Sequence, residues 1–286
     1  MSLIPDKIIR HPLASIRSTK TWLFVPANKL TLIAKAFASG ADTVIVDLED
    51  TVAPKDKASA RAALSAHYYS KEYQPIWLRI NKAGSEAFID DVALCQQLPK
   101  LAGVILSKSE QRYDIEQVYQ ATGLPVIALI ETALGLYQLE EMAKATGLVA
   151  FSYGFLDLCH DLGVQVDTPA ADIVANQVRY QLIVTSKAQQ LSAPIDSVYP
   201  DFNDVEGLCQ RVKLWSQMGL SGMLCIHAKQ VASVQQALKP TAEALDFAKR
   251  VLAEYERSGQ AVFQIDGQMI DAPVIERCRQ LLAIKR

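Results

Sequence analysis

The sequence has no apolar run approaching the roughly 20 residues that a membrane-spanning helix needs, so no membrane role is expected. Its first residues, MSLIPDKIIRHP, lack the apolar core of a secretion signal. Cysteine is sparse: Cys95, Cys159, Cys209, Cys225 and Cys278 are scattered, odd in number and form no C-x-x-C pair. That pattern excludes a disulfide framework and a thiolate zinc site, and fits reduced thiols in a cytoplasmic protein. Four histidines without metal-ligand spacing argue against zinc held by imidazole. The formal net charge of −2 offers no sign of a nucleic-acid partner or a charged membrane surface. Repeats and low-complexity segments are absent. The glycine-rich phosphate turn of a dinucleotide fold is also missing; Phe24-Val25-Pro26-Ala27-Asn28 stands where it would be.

What is present is globular. Of 286 residues, 50% are hydrophobic and 21% charged, enough to bury the core of one large barrel or two small domains. The stretch that organises the rest is VIVDLED, 44–50. Its β-branched run reads as a buried parallel strand, and it ends in three acids. Side-chain alternation puts Asp47 and Glu49 on one face, with Asp50 at the exit. Further strands are expected at 22–27, 75–81, 103–108, 125–131, 148–154, 194–199 and 222–227. Helical patterns lie between them, over about 30–39, 55–67, 86–97, 110–121, 133–145, 170–191 and 204–218, and another begins after the eighth strand. Eight strands alternating with eight helical segments imply parallel pairing through right-handed crossovers, closing as a (β/α)₈ TIM barrel. An open doubly wound sheet is the alternative. The barrel is expected over 1–237, leaving 238–286 as a C-terminal extension of helices and a hairpin that turns at Asp266-Gly267.

Active sites of such barrels sit at the carboxyl ends of the strands. Those ends carry Glu49 and Asp50, Arg79 and Asn81, Lys108, Glu131, Asp157 and His227. Each has an ordinary explanation when taken singly. Glu131 or Asp157 could favour a helix N-terminus, Arg79 could pair with a neighbouring carboxylate, and His227 could sit in the core. Convergence of all of them on one rim is harder to obtain from capping alone. Carboxylates without thiolate or imidazole partners suit Mg²⁺ or Mn²⁺. An arginine beside them offers a bidentate grip on a substrate carboxylate. Metal and arginine together suit a 2-oxo acid or its enolate.

WLFVPANK, ADTVIVDLEDTVAPKDKASAR, WLRIN, GVILSK, ALIETALGL, FSYGFLDL, DVEGL, CIHAKQV and DGQMIDAP follow one another from residue 22 to 273. In these stretches the chain resembles the citrate lyase beta chain and the malyl-CoA and citramalyl-CoA lyase family of metal-dependent barrel lyases. The resemblance implies Mg²⁺ held directly by Glu131 and Asp157. It implies that Glu49 and Asp50 orient metal-bound waters and substrate, and that Arg79 holds the 2-oxo acid. Asp271 matches a catalytic acid on a C-terminal lid that closes over a neighbouring protomer, which makes the chain a homo-oligomer, trimeric or a multiple. The reaction implied is cleavage of a 3-hydroxyacyl-CoA thioester between its α and β carbons, giving acetyl-CoA and a 2-oxo acid. Citramalyl-CoA or malyl-CoA ranks above a citryl thioester.

The chain departs from the family pattern in three places. Lys20 stands where an arginine is usual, with Arg17 as a substitute for the same substrate contact. Ser107 replaces a proline before Lys108, and Ala228 replaces the proline of an H-P-x-Q element. Lys108 is read as a substrate-side cation or rim salt-bridge partner, with a Schiff-base lysine as the less favoured reading. The alternative functions are a pyruvate-type aldolase acting on free acids without CoA, and a non-catalytic regulatory paralogue. For Asp271, sequence alone favours a cap on the final helix, because Pro273 and a helical pattern follow.

Overall fold

The structure is a computed structural model that describes residues 16, 18–70, 74–98 and 100–283. It divides into two compact units, Met1–Ala237 and Leu238–Arg286. In the first, eight strands close into a parallel barrel in chain order: β1 (Thr21–Pro26), β2 (Thr43–Asp47), β3 (Ile76–Ile80), β4 (Leu101–Leu106), β5 (Val126–Ile130), β6 (Leu148–Tyr153), β7 (Ile195–Asp196) and β8 (Gly222–Cys225). The helices between them are α1 (Leu32–Ala38), α2 (Lys57–Ser70), α3 (Phe88–Gln97), α4 (Arg112–Thr122), α5 (Ala133–Tyr137), α6 (Leu139–Met142), α7 (Phe155–Leu162), α8 (Pro169–Ala188) and α9 (Val205–Met218). The helix α10 (Ala228–Ala237) follows β8. This is the expected (β/α)₈ barrel. Among the described residues, no helix is long and apolar enough to cross a membrane.

Period-two alternation explains where the polar residues end up. Trp22, Ile45, Trp77, Leu129 and Leu224 belong to one buried apolar cluster inside the barrel. Two residues further along the same strand faces come Phe24, Asp47, Arg79, Glu131 and Ile226. The interior is therefore apolar in its lower layers, where Trp22 and Trp77 meet edge to face at 5.4 Å. Among the described residues it becomes charged toward the carboxyl end, where Asp47, Arg79 and Glu131 stand at the ends of β2, β3 and β5. Register fixes the neighbours: Asp47 lies directly beside Arg79 across the β2–β3 ladder.

The structure corrects several expected boundaries. The seventh strand shrinks to two residues because Ser197 turns its hydroxyl to accept the Phe155 N–H at 3.1 Å. The eighth stops at Cys225 because the Gln230 amide oxygen takes the N–H groups of Ile226 and His227. The helix expected over 133–145 is broken at Gln138 into α5 and α6. An additional helix, α7, separates β6 from α8.

The second unit comprises α11 (Ala242–Ser258), a hairpin of β9 (Phe263–Ile265) and β10 (Gln268–Ile270), and α12 (Ala272–Ala283). Asp266 and Gly267 both take positive φ, 51° and 80°, which a two-residue hairpin turn requires. Ala248, Val251, Ile270, Ile275 and Cys278 form its core.

Candidate active site

At the carboxyl end of β2 the chain wraps around the Asp47 side chain. The Asp47 carboxylate accepts the backbone N–H of Glu49 at 2.9 Å and of Thr51 at 3.1 Å. It also accepts Nε and Nη2 of Arg79 at 2.6 and 2.7 Å. Burial pushes the Asp47 carboxyl up, but the Arg79 hydrogen bonds and charge, aided by Thr51 and Glu49, outweigh it and hold it below its usual range. The bidentate fork expected to grip substrate is thus occupied by the protein's own carboxylate. Arg79 turns Nη1 outward, 3.3 Å from Glu49 and 3.5 Å from Asp50, and packs its guanidinium 4.7 Å from the Phe24 ring centre.

Lys108 bridges the acids. Its Nζ donates to Glu49 at 2.7 Å and lies 3.7 Å from Asp50 and 4.0 Å from Asp157. Burial alone would lower its pKa; the Glu49 hydrogen bond and the surrounding carboxylates reverse this and raise it. An amine held so firmly protonated is a poor Schiff-base nucleophile. The Lys108 backbone has φ 46°, in the left-handed region. In that conformation its N–H donates to the Glu131 carboxylate at 2.9 Å.

Glu131 does not cap a helix. Thr132 does, accepting the Gly135 N–H at 3.1 Å, and this leaves Glu131 directed into the barrel mouth. Glu131 is only 2% exposed. Burial first, and the Glu49 charge second, push its carboxyl up to about 8 despite Lys108 and Arg79. Gly154 makes room for it: a Cβ there would meet Glu131 Cγ at 2.8 Å and collide with Oε1. Asp157, in the first turn of α7, completes the group with its side chain 46% exposed. One carboxylate oxygen each of Asp50, Glu131 and Asp157 lie within 4.8 Å of one another.

Among the described residues, the cluster is short of positive charge. Asp47, Glu49, Asp50, Glu131 and Asp157 are met within it by Arg79 and Lys108. A dense set of oxygen donors with a cradle shaped for Glu131 fits a hard divalent cation such as Mg²⁺. The acids border a cavity of about 240 Å³ whose other wall is apolar, formed by Phe24, Leu129, Val198, Leu224 and Ile226.

Six of the residues expected at the site from sequence, Glu49, Asp50, Arg79, Lys108, Glu131 and Asp157, are brought together. Asp50, expected to orient metal-bound waters and substrate, presents a carboxylate oxygen beside those of Glu131 and Asp157. Lys20 is not brought there. It precedes β1, so it lies at the amino end of the barrel, about 20 Å of strand from the site. Its Nζ donates to Ser221 O at 3.0 Å and its N–H to Asp42. Arg17 lies outside the described residues. Asp271 lies in the second unit, where it caps α12 by accepting the Val274 N–H at 3.3 Å. His227 stacks on Phe202 at 4.6 Å beyond β8. Asp47 and Gly154 were not expected at the site. A carboxylate two residues before Glu49 on the same face was the available signal for Asp47.

Residues 20–228 match the HpcH/HpaI aldolase/citrate lyase family. The chain belongs to that family. It is 36% identical over 269 residues to the citrate lyase subunit beta-like protein of Mycobacterium tuberculosis, covering 91% of this chain and 93% of the relative. It is 30% identical over 280 residues to a (3S)-malyl-CoA thioesterase of Cereibacter sphaeroides, covering 96% and 94%. Among solved structures it is similar to CitE from Mycobacterium tuberculosis in complex with magnesium, acetoacetate and coenzyme A. The TM-score is 0.84 at 33% identity, covering 93% of this chain and 98% of that one.

Proposed function

We propose that the chain is a Mg²⁺-dependent carbon–carbon lyase acting on a 3-hydroxyacyl-CoA thioester of the citramalyl-CoA or malyl-CoA type. The observation that supports this most is the cluster of Asp50, Glu131 and Asp157 beside Arg79 Nη1, at a small cavity with an apolar wall. The CitE relative holds magnesium, acetoacetate and coenzyme A, which agrees with a metal and a thioester at this kind of site. Glu131 and Asp157 would hold the ion, with Asp50 as a third carboxylate. When bound, the ion supplies Lewis-acid stabilisation of substrate oxygens.

In the cleavage direction the 3-hydroxyl loses its proton and the bond between the α and β carbons breaks. The β carbon becomes the carbonyl of a 2-oxo acid. The electron pair passes to the thioester as an enolate, whose α carbon takes up a proton to give acetyl-CoA. Arg79 would donate to the substrate carboxylate through Nη1, the nitrogen that Asp47 leaves available. Glu49 and Asp50 would orient the substrate hydroxyl. The apolar wall would exclude water from the enolate.

Incubation with malyl-, citramalyl- and citryl-CoA, with Mg²⁺ or with a chelator, tests this reading by trapping the 2-oxo acid. Release from at least one thioester that stops on chelation is expected; no 2-oxo acid from any of them overturns it. The relative named as a malyl-CoA thioesterase favours one second reading, hydrolysis of the same thioester at the same site.

Asp271 is proposed as the acid that handles the α-carbon proton, supplied by the C-terminal unit of a neighbouring protomer in a homo-oligomer. Asp271→Asn and Glu131→Gln, each inactive alone, should rescue each other when co-expressed. Random mixing leaves about a quarter of sites with both native parts, since each site draws on two chains of a symmetric assembly. Verified hybrids that stay inactive would show that Asp271 does not act across chains.

A further inference from the structure

The acidic end of β2 is followed by TVAPKDKASAR, of which Lys57 opens α2. A cation at a helix N-terminus opposes the helix dipole. Asp56, in the 3₁₀ turn Pro54–Asp56 that leads directly into α2, supplies a carboxylate there, and the first turn of α2 itself carries none.

The Lys57 side chain turns back onto the loop that carries the candidate site. Nζ donates to Leu48 O at 2.9 Å, to Glu49 O at 2.9 Å and to Asn81 Oδ1 at 2.7 Å. All three donors of the ammonium are used. On the opposite side of the same loop, the Asp47 carboxylate accepts the N–H groups of Glu49 and Thr51. The peptide groups of 48–51 thus lie between an anion that receives their N–H groups and a cation that receives their carbonyls. Both charges align the peptide dipoles in the same sense, which fixes the loop more firmly than neutral contacts would.

The cation is itself held. Asn81 Nδ2 donates to Leu48 O at 3.1 Å and to the Asp91 carboxylate at 2.6 Å. Asp91, fully buried, also accepts the Asn81 N–H at 3.0 Å and pairs with Arg61 at 3.0 Å. A chain of charge-assisted bonds therefore runs from Arg61 through Asp91 and Asn81 to Lys57. It ends on the carbonyls of the two residues that precede Asp50.

We propose that Lys57 is a positioning residue for the candidate metal centre, fixing where Asp50 and Glu49 present their carboxylates without touching substrate or metal. This rests on the reading of Asp50, Glu131 and Asp157 as a cation site. Mn²⁺ binding to the full chain, followed by electron paramagnetic resonance of the free ion, tests it in wild type, Lys57→Met and Glu131→Gln. Wild type should bind and Glu131→Gln should not. Lys57→Met should bind about 10- to 100-fold more weakly, the loss typical when an outer partner of a metal ligand is removed. Its far-UV circular dichroism should match wild type. Should Lys57→Met not fold, Asn81→Ala carries the same test, with a loss in the same direction and of smaller factor.

Wild-type Mn²⁺ affinity in a folded Lys57→Met overturns the positioning role alone. A fall in melting temperature without loss of affinity overturns it too, because that is the signature of a purely structural clamp. Failure of wild type to bind Mn²⁺, or equal binding by Glu131→Gln, overturns the metal centre and the inference with it.

Discussion

Glu131→Gln is expected to lower Mg²⁺-dependent turnover by at least about a thousandfold, some 4 kcal/mol of the several that Lewis-acid stabilisation supplies. The substitution keeps the side-chain shape and leaves an oxygen to accept the Lys108 N–H, so the barrel should remain folded. It removes the most buried of the three carboxylates proposed to hold the ion. Stability gives an independent signature. In the metal-free protein the Glu131 carboxyl stands at about 8, above the ordinary value of 4.5. The folded state then holds a proton that the unfolded state releases. Its contribution is fully present below about 4.5 and is lost as pH rises through about 8, an effect of a few kcal/mol by linkage. Metal-free wild type should therefore lose melting temperature across that window, and Glu131→Gln should lose less. Bound Mg²⁺ should offset the loss, since a cation favours the ionised form. Thermal melts across the pH range, with and without Mg²⁺, check both signs. Near-wild-type turnover in Glu131→Gln would exclude the metal assignment.

Asp47→Ala is the second large effect. The substitution leaves the Arg79 fork without its partner inside the barrel and orphans the N–H groups of Glu49 and Thr51. Breaking a buried ion pair on one side costs about 3–5 kcal/mol. Glu49 and Asp50 still face Arg79 Nη1, which places the expected loss toward the lower end. Activity should fall as well, because the loop that presents both acids loses its inner anchor. Urea denaturation at neutral pH measures the first effect. A loss below about 1 kcal/mol would mean that the outward acids take over the guanidinium, and the role given to Asp47 would fail.

Much of this architecture was legible in the sequence. Residues 44–46, 126–130 and 148–151 are apolar runs of strand length, and helices end at Gly123 and Gly219 as their left-handed conformation allows. Rim residues were legible because a strand that changes from apolar to charged at its carboxyl end announces which end is wet. What could not be read depends on contacts across the sheet. The register that sets Asp47 against Arg79 is a property of two strands, and neither strand encodes it alone. Where Asp50 turns its carboxylate could not be read either, because spacing says nothing of how a loop turns after the strand ends at Asp47. The room that Gly154 leaves for Glu131 and the reach of Lys57 to three acceptors are likewise products of packing. Lys20 was misplaced for a simpler reason: a substrate contact was expected of a residue that enters the barrel from its other end.

The most direct test of the central claim is the fate of the carbon–carbon bond. Turnover of malyl-CoA or citramalyl-CoA with Mg²⁺ can be followed for acetyl-CoA and free CoA in one sample. A lyase releases acetyl-CoA in equal amount with the 2-oxo acid and leaves the thioester bond intact. That equality is predicted, with both products lost in Glu131→Gln. Free CoA appearing with the intact hydroxy acid, and no acetyl-CoA, would contradict it and identify the same site as a thioester hydrolase.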